Sequence, residues 1–152
     1  MSEAVWKPNV TVAAIAERNS EFLLVSETVN GKTVYNQPAG HLEENETLIE
    51  AVIRETLEET QYEFTPTGLQ GIYRSVSEED SRVTYLRFLF TGTIGKHYND
   101  ALDPDIIGAH WMSYDAIKAC EQEHRSPLVM QAIDDYRQHG PYSLDVISQL
   151  YA

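Results

Sequence analysis

Cysteine is almost missing from this chain, with Cys120 the only one. That excludes an internal disulfide and a cysteine-built metal cage, so packing has to hold the fold. Basic residues are scarce too: 11 Lys and Arg stand against 24 Asp and Glu, for a formal net charge of −13. Such a surface repels nucleic-acid backbones and anionic lipid, and a phosphate-bearing ligand needs a cation as intermediary. No apolar run approaches the roughly 18 residues that span a bilayer, and Met1 to Pro8 lacks the basic-then-apolar order of a secretory signal. The expectation is a cytoplasmic protein with neither membrane nor nucleic acid as a partner. Repeats, low-complexity stretches and Gly/Ser/Pro linkers are absent, so residues 1–152 read as a single domain. What is present is 42% apolar content with 2 Trp, 9 Tyr and 4 Phe, enough for a real core.

Val10 to Ile15 and Glu21 to Glu27 are strand-like runs around an Arg18-Asn19-Ser20 turn, and Asn30-Gly31 signals a second turn. An antiparallel start is expected. Thr47 to Thr60 contains no Gly or Pro, follows a capping candidate at Asn45, and spaces Leu48, Ala51, Val52 and Leu57 for packing on a sheet. Leu69 to Val76 and Val83 to Ile94 read as a long hairpin across the acidic turn Ser77 to Asp80, and Ile106 to Met112 as one more strand. Ser113 is placed to cap a short helix through Cys120, and Pro127 suits an early position in a helix from Ser126 to Gln138. The class is mixed α+β. Gly92-Thr-Ile-Gly95-Lys96 imitates part of a phosphate loop but lacks its glycine spacing and following Ser or Thr, so it reads as a β turn.

The informative stretch is Gly40-His-Leu-Glu-Glu-Asn-Glu46 followed by Arg54-Glu55-Thr56-Leu57-Glu58-Glu59. On a helix, Glu55, Glu58 and Glu59 project from one side within a single turn. Unit charges about 4 Å apart repel by about 4 kcal/mol at an effective dielectric near 20, whereas helical pairing supplies only tenths of a kcal/mol. Something positive must compensate. Arg54 is one candidate, but a single guanidinium cannot neutralise Glu46, Glu55, Glu58 and Glu59 together. A divalent cation can, and hard oxygen ligands without nearby His or Cys point to Mg²⁺, with Mn²⁺ as substitute. An acidic helix that merely faces solvent is the plain competitor; the joint spacing of Gly, acid, Arg-Glu and paired Glu argues against it.

At those intervals the sequence resembles the Nudix hydrolase signature, with two departures. Thr56 stands where a larger aliphatic is usual, and Gln61 where Gly ends the helix. Gln there accepts a left-handed backbone at a cost of about 1 kcal/mol. Trp6 to Ala13, Asn36 to Glu43, Leu86 to Phe90 and Arg125 to Val129 look like segments of the NudJ phosphatase subgroup. The resemblance implies an α/β/α sandwich around a mixed β-sheet. It also implies a Mg²⁺-dependent enzyme hydrolysing nucleoside tri- and diphosphates and thiamine-type pyrimidine pyrophosphates by metal-activated water. The alternative is a non-catalytic sensor that keeps the fold and binds a nucleotide or thiamine ester.

Cleaving a phosphoanhydride requires charge neutralisation, an activated water and a stabilised leaving phosphate. Glu55, Glu58 and Glu59 are assigned as metal ligands, with the Gly40 carbonyl added by the resemblance; Glu46 either ligates through water or serves as a helix N-terminal acid. Arg54 reads as an orienting partner for Glu55. The general base in this family lies on the signature helix or in a later loop. Asp105 and Asp103 are loop candidates, with Glu78, Glu79 and Asp80 as competitors. Lys7, Arg87 and Arg125 are the cations placed to meet substrate phosphate. Tyr35, Tyr73 and Tyr85 are available for stacking on a base, although core packing is the commoner role of a strand aromatic. The partner expected is a small phosphorylated substrate, and the enzyme is read as a monomer.

Overall fold

A computed structural model describes residues 4–150. The chain runs β1 (Asn9–Arg18), β2 (Glu21–Val29), β3 (Lys32–Asn36), β4 (Ala39–His41), α1 (Leu48–Thr60), β5 (Tyr62–Val76), β6 (Thr84–His97), β7 (Ile106–Ser113), α2 (Tyr114–Ala119) and α3 (Leu128–Gln138). The sheet order is β3-β2-β1-β6-β5, with β4 added beside β1 and β7 beside β2. β1 and β6 are parallel and the other pairs antiparallel, which gives the mixed sheet expected.

Strand alternation sorts the core into two layers. Val12, Ala14 and Ala16 of β1 pack with Leu23, Ala51, Val52 and Phe90 under α1. Ala13 and Ile15 pack with Leu24, Leu89, Ile117 and Ile133 under α2 and α3. Helices therefore cover both faces, and β1, buried from Thr11 to Ala16, runs through the middle. That burial explains one departure from expectation. The β1/β2 hairpin pairs only at Glu17–Phe22 and Arg18–Glu21, because a strand apolar on both faces belongs inside a covered sheet, here between β4 and β6. The hairpin turn itself has positive φ at Asn19 and Ser20, as does the next at Asn30 and Gly31, suiting tight two-residue turns.

β3 and β4 go beyond what the hydropathy pattern gives, being five and three residues long. β5 starts at Tyr62, earlier than expected, since irregularities around Pro66, Gly68 and Gly71 absorb the residues that break its period. Gly92 to Lys96 is no turn: it continues β6 opposite Phe64 to Pro66. A Cβ at Gly92 would overlap the Thr65 carbonyl and the Phe64 ring, so this glycine serves strand packing. Ser113 caps α2 by accepting from the Ala116 N–H, as read. No helix among the described residues is long and apolar enough to cross a membrane.

Candidate active site

α1 starts at Thr47 rather than Asn45. Asn45 has a left-handed φ of 64°, while the Thr47 hydroxyl accepts from the Glu50 N–H (3.0 Å) and the Glu50 carboxylate accepts from the Thr47 N–H (3.1 Å). This reciprocal pair is worth about 1 kcal/mol. Ala51, Val52 and Thr56 turn into the core, so the facing side of the helix carries the carboxylates towards β4. At the other end Gln61 adopts φ 62°, ψ 20° and its N–H closes on the Leu57 carbonyl at 2.8 Å. It takes the left-handed position that glycine would fill more easily.

The four carboxylates do not share one environment. Arg54 sends Nε and Nη2 to the two oxygens of Glu46 (2.6 and 3.0 Å). Its Nη1 reaches both Glu55 (2.8 Å) and Glu58 (3.2 Å), and Nη2 also donates to the His41 carbonyl (3.1 Å). One guanidinium thus touches three of the four acids and leaves Glu59 out, and its main partner is Glu46 rather than the expected Glu55. Glu46, just before the N-cap Thr47, turns its carboxylate to Arg54. Both its oxygens are occupied by Arg54, one also accepting from the Glu43 N–H, and the bonds to Arg54 hold its carboxyl below the usual range.

Glu59 lies outside this clamp. It is 9% exposed and its Oε1 accepts from the Ala39 N–H at 2.9 Å. Burial pushes its carboxyl up to about 8, and the Ala39 hydrogen bond offsets only part of that. Burial also raises Glu55, against the pull of Arg54. Gly40 sits directly against Glu55: a Cβ there would overlap the carboxyl group, so only glycine lets the β4 backbone approach this closely. Glu55 and Glu59 are therefore held at adjacent residues of β4, and Glu58 stands at the exposed edge. No three acidic, His or Cys side chains among the described residues are already drawn into a closed metal cage, because Glu55 and Glu58 turn to Arg54 while Glu59 turns to Ala39. In donor chemistry the set fits a hard divalent cation: buried carboxylates lacking full compensation, and a backbone kept bare beside them.

A cavity of about 510 Å³ opens beside Ala39 and Gly40 and is lined by Arg87, Arg125, Glu27 and Tyr85 among others. Arg87 is 7% exposed. Its Nη2 donates to Asn36 Oδ1 at 3.2 Å, and its buried Nη1 has no partner. Burial lowers its pKa to about 10, opposed by the charges of Glu59 and Glu27, so it remains a cation at neutral pH. Arg125, just before α3, lies 3.8 Å from Glu27 and 3.4 Å from Glu79. The structure thus brings Arg87 and Arg125 to one cavity with Gly40. It leaves Lys7 exposed in the segment preceding β1 and outside the cavity lining, away from the phosphate contact expected of it. Tyr85 lines the cavity, Tyr73 bonds Asp135 at 2.6 Å, and Tyr35 packs in the core layer under α3. Glu78 and Glu79 reach the cavity rim, while Asp80 bonds Arg82.

Asp103 and Asp105 precede β7. The Asp103 N–H donates to the Glu58 carbonyl at 2.8 Å, and its charge adds to the upward push on Glu55 and Glu59. Asp105 is exposed and its charge bears on Glu27 instead. Glu27 and Asn36 escaped the sequence reading. Glu27 faces the cavity where the β2/β7 register slips at Ser26/Glu27, and a slip between distant strands leaves no local signature.

A family model described as the NUDIX domain matches residues 6–132. Phosphatase NudJ of Escherichia coli (strain K12) is 38% identical over 144 residues, covering 94% of this chain and 92% of its own. Among solved structures, a NUDIX hydrolase from Nitrosomonas europaea superposes with a TM-score of 0.91 at 46% identity, covering 95% of this chain and 98% of that one. The NUDIX domain of Shewanella oneidensis NrtR, solved with ADP ribose, shares the fold at a TM-score of 0.68 and 17% identity, covering 88% of this chain and 89% of that one.

Proposed function

The chain belongs to the Nudix hydrolase family, and from that premise we propose that it is a Mg²⁺-dependent pyrophosphohydrolase and phosphatase, with Mn²⁺ able to substitute. It is an enzyme acting on phosphoanhydride bonds of small phosphorylated substrates. Its substrates in this reading are nucleoside tri- and diphosphates, thiamine pyrophosphate and hydroxymethylpyrimidine pyrophosphate. The reading includes a single domain acting as a monomer in the cytoplasm.

One observation carries it. A buried arginine with an unpartnered Nη1 shares a cavity with Ala39 and Gly40, and the Ala39 N–H bonds a buried carboxylate, Glu59, that no ion pair holds. Each lacks what a metal-bound polyphosphate supplies: anionic oxygen for Arg87, a cation for Glu59.

Glu55, Glu58, Glu59 and the Gly40 carbonyl are the residues that would hold the cation. When bound it supplies charge neutralisation on phosphate oxygens and a water of lowered pKa. Arg87 Nη1 donates to a phosphate oxygen in the cavity and Arg125 contributes a second guanidinium at the rim. Arg54 keeps Glu55 and Glu58 turned to one side of α1. An acid of the loop before β7, Asp103 or Asp105, takes the proton of the attacking water as its oxygen bonds to phosphorus and the bridging P–O bond breaks. The cavity offers more to phosphate than to a base, with Tyr85 its one candidate stacking ring named above, which favours breadth in the organic half of the substrate.

The test is a panel of nucleoside di- and triphosphates, thiamine pyrophosphate and its pyrimidine precursor, each with Mg²⁺, Mn²⁺ or chelator, products being separated by phosphate count. Metal-dependent phosphate or pyrophosphate release is expected. Recovery of every compound intact with both metals would overturn the reading in favour of a binding-only protein.

A further inference from the structure

The loop between β6 and β7 meets the C-terminal end of α1 through three hydrogen bonds. The Gln61 carbonyl accepts from the Tyr98 N–H at 2.8 Å, where the loop begins. The Gln61 side-chain Nε2 donates to the Ala101 carbonyl at 3.2 Å, midway. The Glu58 carbonyl accepts from the Asp103 N–H at 2.8 Å, where the first loop acid stands. Two of these use backbone atoms that any residues would offer. The middle one depends on an amide side chain at position 61.

Closing the helix does not require that amide. The Leu57 carbonyl already receives the Gln61 backbone N–H, and the second bond it takes from Nε2 (3.0 Å) serves to aim the side chain. Position 61 is left-handed, where glycine rests without strain and glutamine costs about 1 kcal/mol. What glutamine adds there, and glycine cannot, is the bond to Ala101. Gln61 is 9% exposed, so the bond is largely sheltered from competing water. Ala101 itself is exposed and the segment through Pro104 has no regular structure of its own. Asp103 is fixed locally by accepting from the Asp105 N–H at Oδ1 (3.0 Å) and from the Ile106 N–H at its carbonyl (2.9 Å), so the loop's placement against α1 depends on the three attachments.

We propose that Gln61 is a positioning residue for hydrolysis: its amide ties the Tyr98–Asp105 loop to the end of α1 and thereby sets where Asp103 stands relative to Glu55 and Glu59. The role rests on the Nudix reading of those carboxylates and of a loop acid as proton acceptor. Gln61 touches no substrate in this scheme and acts through Asp103.

The test separates the tether from backbone strain by replacing Gln61 with glycine, which suits the left-handed backbone and removes the side chain that carries the amide. With Mg²⁺ and a nucleoside triphosphate, Gln61→Gly is expected to lower kcat about tenfold while KM stays within about twofold, with no fall in Tm. Hydrogen exchange at the Asp103 amide should quicken. Combined with Asp103→Asn, Gln61→Gly should cost little beyond the single Asp103 variant, since both act on one group. Wild-type kcat in Gln61→Gly, or losses that multiply in the double variant, would overturn the proposal and leave the hydrolase reading standing. If the wild-type protein hydrolyses nothing, the exchange measurement still decides whether the tether exists: unchanged exchange at Asp103 sinks it.

Discussion

The Arg54 side of α1 and the Arg87 floor of the cavity each set a guanidinium among carboxylates, and they handle it in opposite ways. Arg54 spends all three nitrogens on Glu46, Glu55, Glu58 and the His41 carbonyl. Arg87 is more deeply buried yet keeps a single bond, to Asn36, with its Nη1 unmet. Removing charge from water without full pairing destabilises a fold, so an incomplete set persists only where another requirement holds it. The contrast separates a clamp that shapes the site from a donor that awaits a ligand. The same division runs through the acids: Glu46 is satisfied inside the protein, Glu59 is not.

The largest effect that would break this division is on the unsatisfied side. Glu59→Gln, and Glu58→Gln beside it, should reduce Mg²⁺-dependent turnover by roughly a thousandfold while far-UV circular dichroism stays native. Near-normal turnover in both would mean the acids of α1 are surface charge alone. Next in size, Arg87→Ala should lower kcat/KM about ten- to a hundredfold, mainly through KM, from loss of a charge-assisted hydrogen bond worth roughly 1.5–3 kcal/mol. Arg54→Ala sharpens the comparison: it should depress kcat and also lower Tm, since three carboxylates lose their shared cation. If both arginine variants changed KM alone, the distinction between clamp and donor would fail.

The smallest effect is on stability against pH in protein freed of metal. Glu59 has its folded-state pKa raised to about 8 from an ordinary 4.5, and Glu55 is raised too. The folded protein therefore holds protons that the unfolded chain has released between those values. Stability from these groups is fully present below the unfolded pKa and is lost as pH rises towards 8. Tm of the metal-free protein should fall by a few degrees, on the order of 5 °C, from pH 5.5 to pH 8, and millimolar Mg²⁺ should recover most of it at pH 8. A Tm flat across that range, with and without Mg²⁺, would argue that Glu59 keeps no excess proton and needs no cation.

Much of this was legible in the chain because it is local. The spacing of Arg54, Glu55, Glu58 and Glu59 is written within two turns of one helix, and the capping and turn residues act on their immediate neighbours. Gln61 too could be placed, as a left-handed position filled by an ill-suited residue. What escaped is what distant segments do to each other. The partnership of Arg54 with Glu46 depends on how the Glu43–Glu46 loop folds back. The turning of Glu59 towards Ala39 depends on the pairing of β4 with β1, and β4 is too short to announce itself. Glu27 lines the cavity beside a register slip between the pairs Ser26–Gly108 and Glu27–Ile106, which join strands far apart in sequence. Asp103, rather than Asp105, approaches α1 because of a backbone bond, and backbone bonds carry no residue preference.

Position 40 has a consequence for how this chain can change over generations. The volume that any side chain would fill there is the volume of the Glu55 carboxyl group, so a larger residue at 40 and an undisturbed Glu55 cannot coexist. A single mutation adding even a methyl group would displace the acid in the same stroke. Strand and helix are thereby coupled: drift can reshape the cavity rim without touching the acids, but a change at this one backbone position is felt at once by the carboxylate across from it.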